Sequence, residues 1–442
     1  MMLRAPIVGW FHLGNEEAAK AREFLRLCNG EDSVDELGFG VLRDGFSDEF
    51  FPGTSTVMTE VRYLIFVAAI YRSMERTLER KKAAIPDLYR RSRQMQDQLR
   101  DVLAATFGNK RGFGVIGISA KEPERYPSAI YWASMRTLGI LRRIGATEGD
   151  YLSALSKHHE QSRFDENSGD PVAEAAPPPV NWDRHFPYYN HDPHQGASIV
   201  DQSGRFATGL DFNLTIQEAR YLRDCYLGID TVTPPASGIH RSLLAHLIEK
   251  SRKTSFSFPW DVKPPPHLEM AVDDARHFSV LVRGAMLQYY YWLIKARREE
   301  QWEIPNANID DRFAAWWSEG RPMLMKWDQL GFLERRKRYL RPHRNDAGFM
   351  QEWLRQLRAA RSSTGFLISD EARTLIVQRE RTCKPRKARL SHKKHLQSWN
   401  RVLPESDPIY QLDFRARIGN TFVHRIVKGL ESGATAAVEE GK

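Results

Sequence analysis

The nine residues Tyr63 to Tyr71, YLIFVAAIY, constrain this chain more than any other stretch, because they have no polar face at all. Arg62 and Arg72 bracket the run, and it reaches only about half of the ~20 residues that a bilayer crossing needs. It must therefore be covered by protein, and a helix that is apolar all round forms the centre of its domain. Val57, Val61, Leu64, Ala68 and Tyr71 recur at helical spacing, and Thr54, Ser55 and Thr56 before them are residues suited to an N-cap. Further upstream, Ser33 and Glu36 make an S-x-x-E capping box for a helix starting near Val34, with Asp35 and Glu36 in its first turn. Gly38, Gly40 and Gly45 weaken that helix, and Pro52-Gly53 ends it.

The rest of the chain reads as mainly α. Ser73 to Lys82 and Pro86 to Leu103 are amphipathic and basic. GNKRGFGVIG, Gly108 to Gly117, lacks the GK[ST] ending of a P-loop and reads as a structural turn. Tyr126-Pro127-Ser128 opens a helix that turns Ile130, Tyr131, Met135 and Leu138 inward. Gln161 to Pro179 has almost no large apolar residue and ends in three prolines, the composition of a linker. This divides the chain into an N-terminal helical domain over 1–165, a linker and docking loop over 166–205, a helical C-terminal domain over 206–430 and a disordered tail over 431–442. The loop docks through Trp182, Phe186, Tyr188 and Tyr189; its His185, His191, His194, Asp183 and Asp192 match no metal-site spacing. Thr215 and Glu218 form a second capping box, with Ala219, Leu222 and Tyr226 on one face, and Ser242 to Lys250 continues the helical pattern. Leu268 to Glu300 predicts one long helix with Val280, Leu281, Leu287, Tyr291 and Ile294 inward, while His246 and His277 read as hydrogen-bonded residues.

Cys28, Cys225 and Cys383 lie far apart and form no CxxC, which fits a reducing compartment, and the N-terminus lacks a signal peptide's apolar region. The expectation is a cytoplasmic protein without membrane contact or cofactor. Charge is unevenly placed. Residues 1–200 hold 25 Lys and Arg against 27 Asp and Glu, whereas 331–428 hold 23 against 9, more than the whole net charge of +9. Such asymmetry suits a polyanion or an acidic partner protein, or serves solubility alone. Three clusters carry the surplus. LGFLERRKRYLRPHR, with Arg335, Arg336, Lys337 and Arg338, reads as a helix end, a glycine stop and a basic hairpin, faintly similar to a winged-helix element. FMQEWLRQLRAAR buries Phe349, Met350, Trp353 and Leu357 and repeats Arg355, Arg358 and Arg361 every third position. RTCKPRKARLSHKK, which includes Lys384, Arg386, Lys387, Arg389, Lys393 and Lys394, contains no acid and suits phosphate binding by counterion release.

Catalytic signatures fail on spacing. His392 and Lys394 begin an H-x-K, but the position where a phospholipase D-type motif needs Asp is Trp399. Asp261-Val262-Lys263 beside SFSFPW offers the end of a restriction-type nuclease motif without an upstream acid, although two-metal chemistry requires paired carboxylates. Asp35, Glu36, Asp44, Asp48 and Glu49 are better explained as helix-start and surface acids than as cation ligands.

VDELGFGVLRDGFSDEFFPGTST, RYLIFVAAIYR and RYPSAIYW, followed by LTIQEARYLRD and SLLAHLIEK, resemble in that order an uncharacterised bacterial family, with matching pieces from Val8 to Leu430. Its members are frequently encoded beside helicases, methyltransferases or nucleases in phage-defence loci. The family carries no assigned activity and no catalytic residues, so no role passes to particular positions. The resemblance implies an accessory, non-catalytic component of an antiphage system. It would bind DNA or RNA, or a helicase or nuclease from the same locus, through the basic C-terminal surface. A divergent metal-dependent nuclease and a protein-interaction scaffold without nucleic-acid affinity stay open beside it.

Overall fold

A computed structural model of the protein describes residues 35–81, 88–108, 112–118, 123, 125–142, 147–168, 182–187, 199–201, 204–229, 241–250, 255–304, 308–399 and 411–439. Among these residues the fold is helical, with no strand and two isolated antiparallel bridges, Leu141 with Trp182 and Val200 with Phe206. The helices are α1 (Gly40–Phe50), α2 (Tyr63–Lys81), α3 (Leu88–Thr106), α4 (Pro127–Thr137), α5 (Glu148–Ser168), α6 (Ile216–Leu227), α7 (Leu243–Glu249), α8 (Glu269–Glu299), α9 (Ile309–Met325), α10 (Gln329–Arg335), α11 (Asp346–Ala359), α12 (Ser363–Leu367), α13 (Asp370–Cys383), α14 (Lys393–Gln397) and α15 (Ala416–Glu439).

They form two compact units, one drawn from Leu42–Val280 and Gln411–Lys442, the other from the described parts of Met1–Val41 and Leu281–Tyr410. Residues on both sides of 166–205 share the first unit. The Arg62 guanidinium is one reason, donating to the Asp211 carbonyl at 2.9 Å and to the Glu218 carboxylate at 3.1 Å.

In the first unit every residue from Tyr63 to Tyr71 is buried, as an all-apolar helix requires. α2 packs on α3 and α4, while α15 packs on α6 and α7. Gly429 lets α15 approach closely, since a Cβ there would stand 2.8 Å from that of Ala219. α6 starts at the Thr215–Glu218 capping box, with both reciprocal bonds made. α4 begins at Pro127 directly after Tyr126. The docking residues Trp182 and Phe186 are buried, and the Trp182 indole donates to Glu75 at 2.9 Å; Tyr188 and Tyr189 lie outside the described residues.

Four local expectations change. The first helix begins at Gly40, not near Val34: the Asp35 carboxylate accepts from the Phe39 and Gly40 amides, and Gly38 at φ +74° interrupts the chain before them. Ser33 lies outside the described residues. Thr54 does not cap α2, because its hydroxyl donates to the Phe51 carbonyl at 2.6 Å and the helix waits until Tyr63. α5 continues to Ser168, into the stretch read as linker, and α15 continues to Glu439, into the stretch read as a disordered tail.

The second unit centres on Trp316, Trp353, Phe313 and Phe366, with the two indoles 5.7 Å apart. Gln288 ties this cluster to α8 by accepting from the Trp353 indole and donating to the Phe366 carbonyl, both at 2.9 Å. The winged-helix hairpin expected over 330–344 is absent there. Asp328 caps α10 through the Gly331 amide, so the glycine lies inside the helix, and two 3-10 turns, Lys337–Tyr339 and Pro342–Arg344, follow.

Candidate nucleic-acid interface

Charge separates the units. Leu42–Val280 carries 30 Lys and Arg against 30 Asp and Glu, whereas Leu281–Tyr410 carries 26 against 15. The candidate interface therefore belongs to the second unit, and the partners of each cation decide which of them can meet a phosphate.

In the first cluster Arg335 pairs with Asp328 at 3.2 Å and Lys337 with Glu334 at 3.4 Å, Arg338 lies over the Tyr339 ring, and Arg336 is buried. On α11 the predicted apolar face, Phe349, Met350, Trp353 and Leu357, is buried. The arginine stripe on its outer side is interrupted. Arg355 donates twice to Glu352, at 2.8 and 2.6 Å, and those hydrogen bonds, with one from Gln356, hold the Glu352 carboxyl at about 2. A groove of about 440 Å³ beside it is lined by Glu352, Asp370 and Glu371 as well as Arg355, so this strip is acidic rather than basic. α11 ends at Ala359, which leaves Arg361 beyond the helix. Arg358 and Arg361 are exposed and make no ion pair among the described residues.

The tract after α13 is ordered by acids from outside it. Glu380, fully buried, accepts the Arg389 amide at 2.8 Å, the Leu390 amide at 2.9 Å and the Tyr289 hydroxyl at 2.6 Å. Glu36, 3% exposed, takes both the Lys384 ammonium and the Arg389 guanidinium. Burial pushes the Glu36 carboxyl up, but the Arg389 hydrogen bond and the two cationic charges outweigh it and hold it below its ordinary value. Lys384 and Arg389 are thus internal ion-pair members, which corrects their placement among surface phosphate contacts. Arg386 and Lys387 are exposed; Lys393 pairs with Glu300, and Lys394 is exposed without an ion pair among the described residues.

Arg379 was not anticipated from the sequence. It is buried between the Phe39 and Phe349 rings and donates to the carbonyls of Leu37 at 2.6 Å and Arg344 at 2.7 Å and to Asp346 at 2.7 Å. Local sequence holds no signal for this, because Leu37 lies 342 positions away.

The residues weighed for metal chemistry are engaged elsewhere. SFSFPW forms no strand, and the Asp261 carboxylate accepts the Ser257 and Phe258 amides, each at 2.9 Å, closing a 3-10 turn over Pro259–Asp261. Asp44 and Asp48 both face Arg415, at 3.6 and 2.7 Å. Asp183 pairs with Arg142 at 2.9 Å, while His191, Asp192 and His194 lie outside the described residues. Among the described residues no three His, Cys, Asp or Glu are grouped so as to hold a metal ion. There, too, no helix is long and apolar enough to cross a membrane.

Fold and charge together define an all-helical protein, over the described residues, with one charge-balanced and one basic unit. Residues 6–176 match the model of a family of unknown function, DUF6361, and over that part the chain is similar to an uncharacterised family. The pieces LTIQEARYLRD and SLLAHLIEK, and the whole stretch Leu281–Tyr410, lie beyond the matched residues. Neither a curated protein nor a solved structure matches the chain.

Proposed function

We propose that this protein is an accessory, non-catalytic component that holds DNA by its phosphate backbone through the Leu281–Tyr410 unit. The observation that carries the reading is that Arg358, Arg361, Arg386 and Lys394 are exposed and have no acid partner among the described residues, in a stretch with 26 cations against 15 acids. Cations of this kind displace condensed counterions from a duplex, so they bind without reading sequence and lose affinity as salt rises. Its role in an antiphage system beside a helicase or nuclease rests on the family resemblance.

Retention of duplex DNA on a filter at low salt tests the reading. The wild type is expected to bind, and reversing the charge at Arg358, Arg361, Arg386 and Lys394 together is expected to abolish retention. Equal retention by both proteins, or none by the wild type, removes the reading. Plasmid DNA incubated with the protein and Mg²⁺ or Mn²⁺ is expected to stay intact, and cleavage abolished by Asp261→Ala would replace this reading with the nuclease.

A further inference from the structure

A stretch such as Arg381 to Lys394, with seven cations and no acid, repels itself and by composition alone favours an open chain. Here Arg381 to Cys383 end α13, Lys393 and Lys394 start α14, and the residues between the two helices form a closed turn. The Lys387 amide donates to the Lys384 carbonyl at 3.1 Å, and His392 Nε2 lies 3.3 Å from the Pro385 carbonyl. Glu380 takes two successive amides on the returning limb, and Glu36 joins Lys384 at one end of the turn to Arg389 at the other. Ala388 is fully buried, which pins the middle, while Pro385, Arg386 and Lys387 remain exposed at the tip.

Resting on the DNA-binding reading above, we propose that the turn 384–390 is a preset contact for the phosphate backbone of duplex DNA, with Arg386 as the contacting cation and Glu36 and Glu380 as positioning residues. A cation carried on a turn that is already ordered loses less conformational freedom on binding than one on an open chain. The assignment has a consequence opposite in sign to charge counting. Glu36→Gln removes a negative charge near the surface, which by electrostatics alone tightens binding to a polyanion. If Glu36 acts by positioning, the same change weakens it.

The test is binding of the full-length protein to fluorescently labelled duplex DNA over a series of salt concentrations. Arg386→Gln alters an exposed side chain, leaves the fold intact, and is expected to weaken binding and lower the slope of log affinity against log salt by about 0.9. Glu36→Gln is expected to weaken binding about fivefold at fixed salt, the scale of ordering one long side chain, with the slope retained. Hydrogen exchange should show the Arg389 and Leu390 amides losing protection in that variant. Tighter binding by Glu36→Gln overturns the positioning role. Should Glu36→Gln unfold, Arg386→Gln decides alone: wild-type affinity and slope in that variant overturn the turn as contact while DNA binding itself stands. A wild type that does not bind overturns both.

Discussion

Two carboxylates, one in each unit, are buried to nearly the same degree and have opposite acidities. Glu36 is 3% exposed and faces two full charges, Lys384 and Arg389, which hold its carboxyl below the ordinary value of 4.5. Glu75 is 7% exposed and is served chiefly by neutral donors, the Trp182 indole at 2.9 Å and the Tyr151 hydroxyl at 2.8 Å, with Arg72 reaching in from the surface at 3.2 Å. Burial pushes the Glu75 carboxyl up, and those hydrogen bonds do not bring it back. Burial alone therefore does not set the state of a carboxyl. Desolvation is offset when whole cations are buried alongside it, and incompletely when the partners are dipoles.

The largest effect should come from Glu36→Ala, which strands two half-buried cations and is expected to cost about 3 kcal/mol in urea unfolding, the scale of a broken buried ion pair. A loss well under 1 kcal/mol, on that same scale, would break the comparison. Glu75→Ala removes the acceptor from a buried indole and a buried hydroxyl, and about 2 kcal/mol is expected, because unsatisfied buried donors carry their full desolvation cost.

The pH dependence sharpens the contrast further. Glu75 binds its proton more tightly folded than unfolded, so its contribution is complete below 4.5 and is lost as pH rises through its folded value. Glu36 behaves in reverse: its contribution is present above 4.5 and is lost as pH falls through its folded value. Denaturation midpoints followed against pH should lose the upper slope in Glu75→Gln and the lower slope in Glu36→Gln. Slopes exchanged between the two variants would refute the assignment. The smallest effect is at the exposed pair of Glu352 and Arg355. Arg355→Ala should leave the thermal midpoint unmoved, yet release the Glu352 carboxyl from about 2 towards 4.5, readable by NMR titration.

The two capping boxes show how far the sequence could be read. Thr215 and Glu218 form theirs as the spacing predicts, although Glu218 also receives the Arg62 guanidinium from 156 positions away. Glu36 has the same spacing from Ser33, which lies outside the described residues, and takes cations 348 and 353 positions away. The buried core of α2, the long helix α8 and the apolar face of α11 were legible because each depends on periodicity within one element. Of the thirteen cations assigned to the interface, Arg336 is buried, and Arg335, Lys337, Arg355, Lys384, Arg389 and Lys393 pair with acids of this chain; for Lys384 and Arg389 that acid lies 348 and 353 positions away, where nothing next to them in sequence marks it.

By itself, then, the sequence determined that this chain is helical, that Tyr63 to Tyr71 must be enclosed, and that positive charge concentrates after residue 330, since these follow from local pattern and composition. Only the tertiary structure decided which of those charges face solvent. An ion pair depends on distance in space, and Glu36, the acid that neutralises Lys384 and Arg389, lies 348 and 353 positions from them in a part of the chain that only folding brings near.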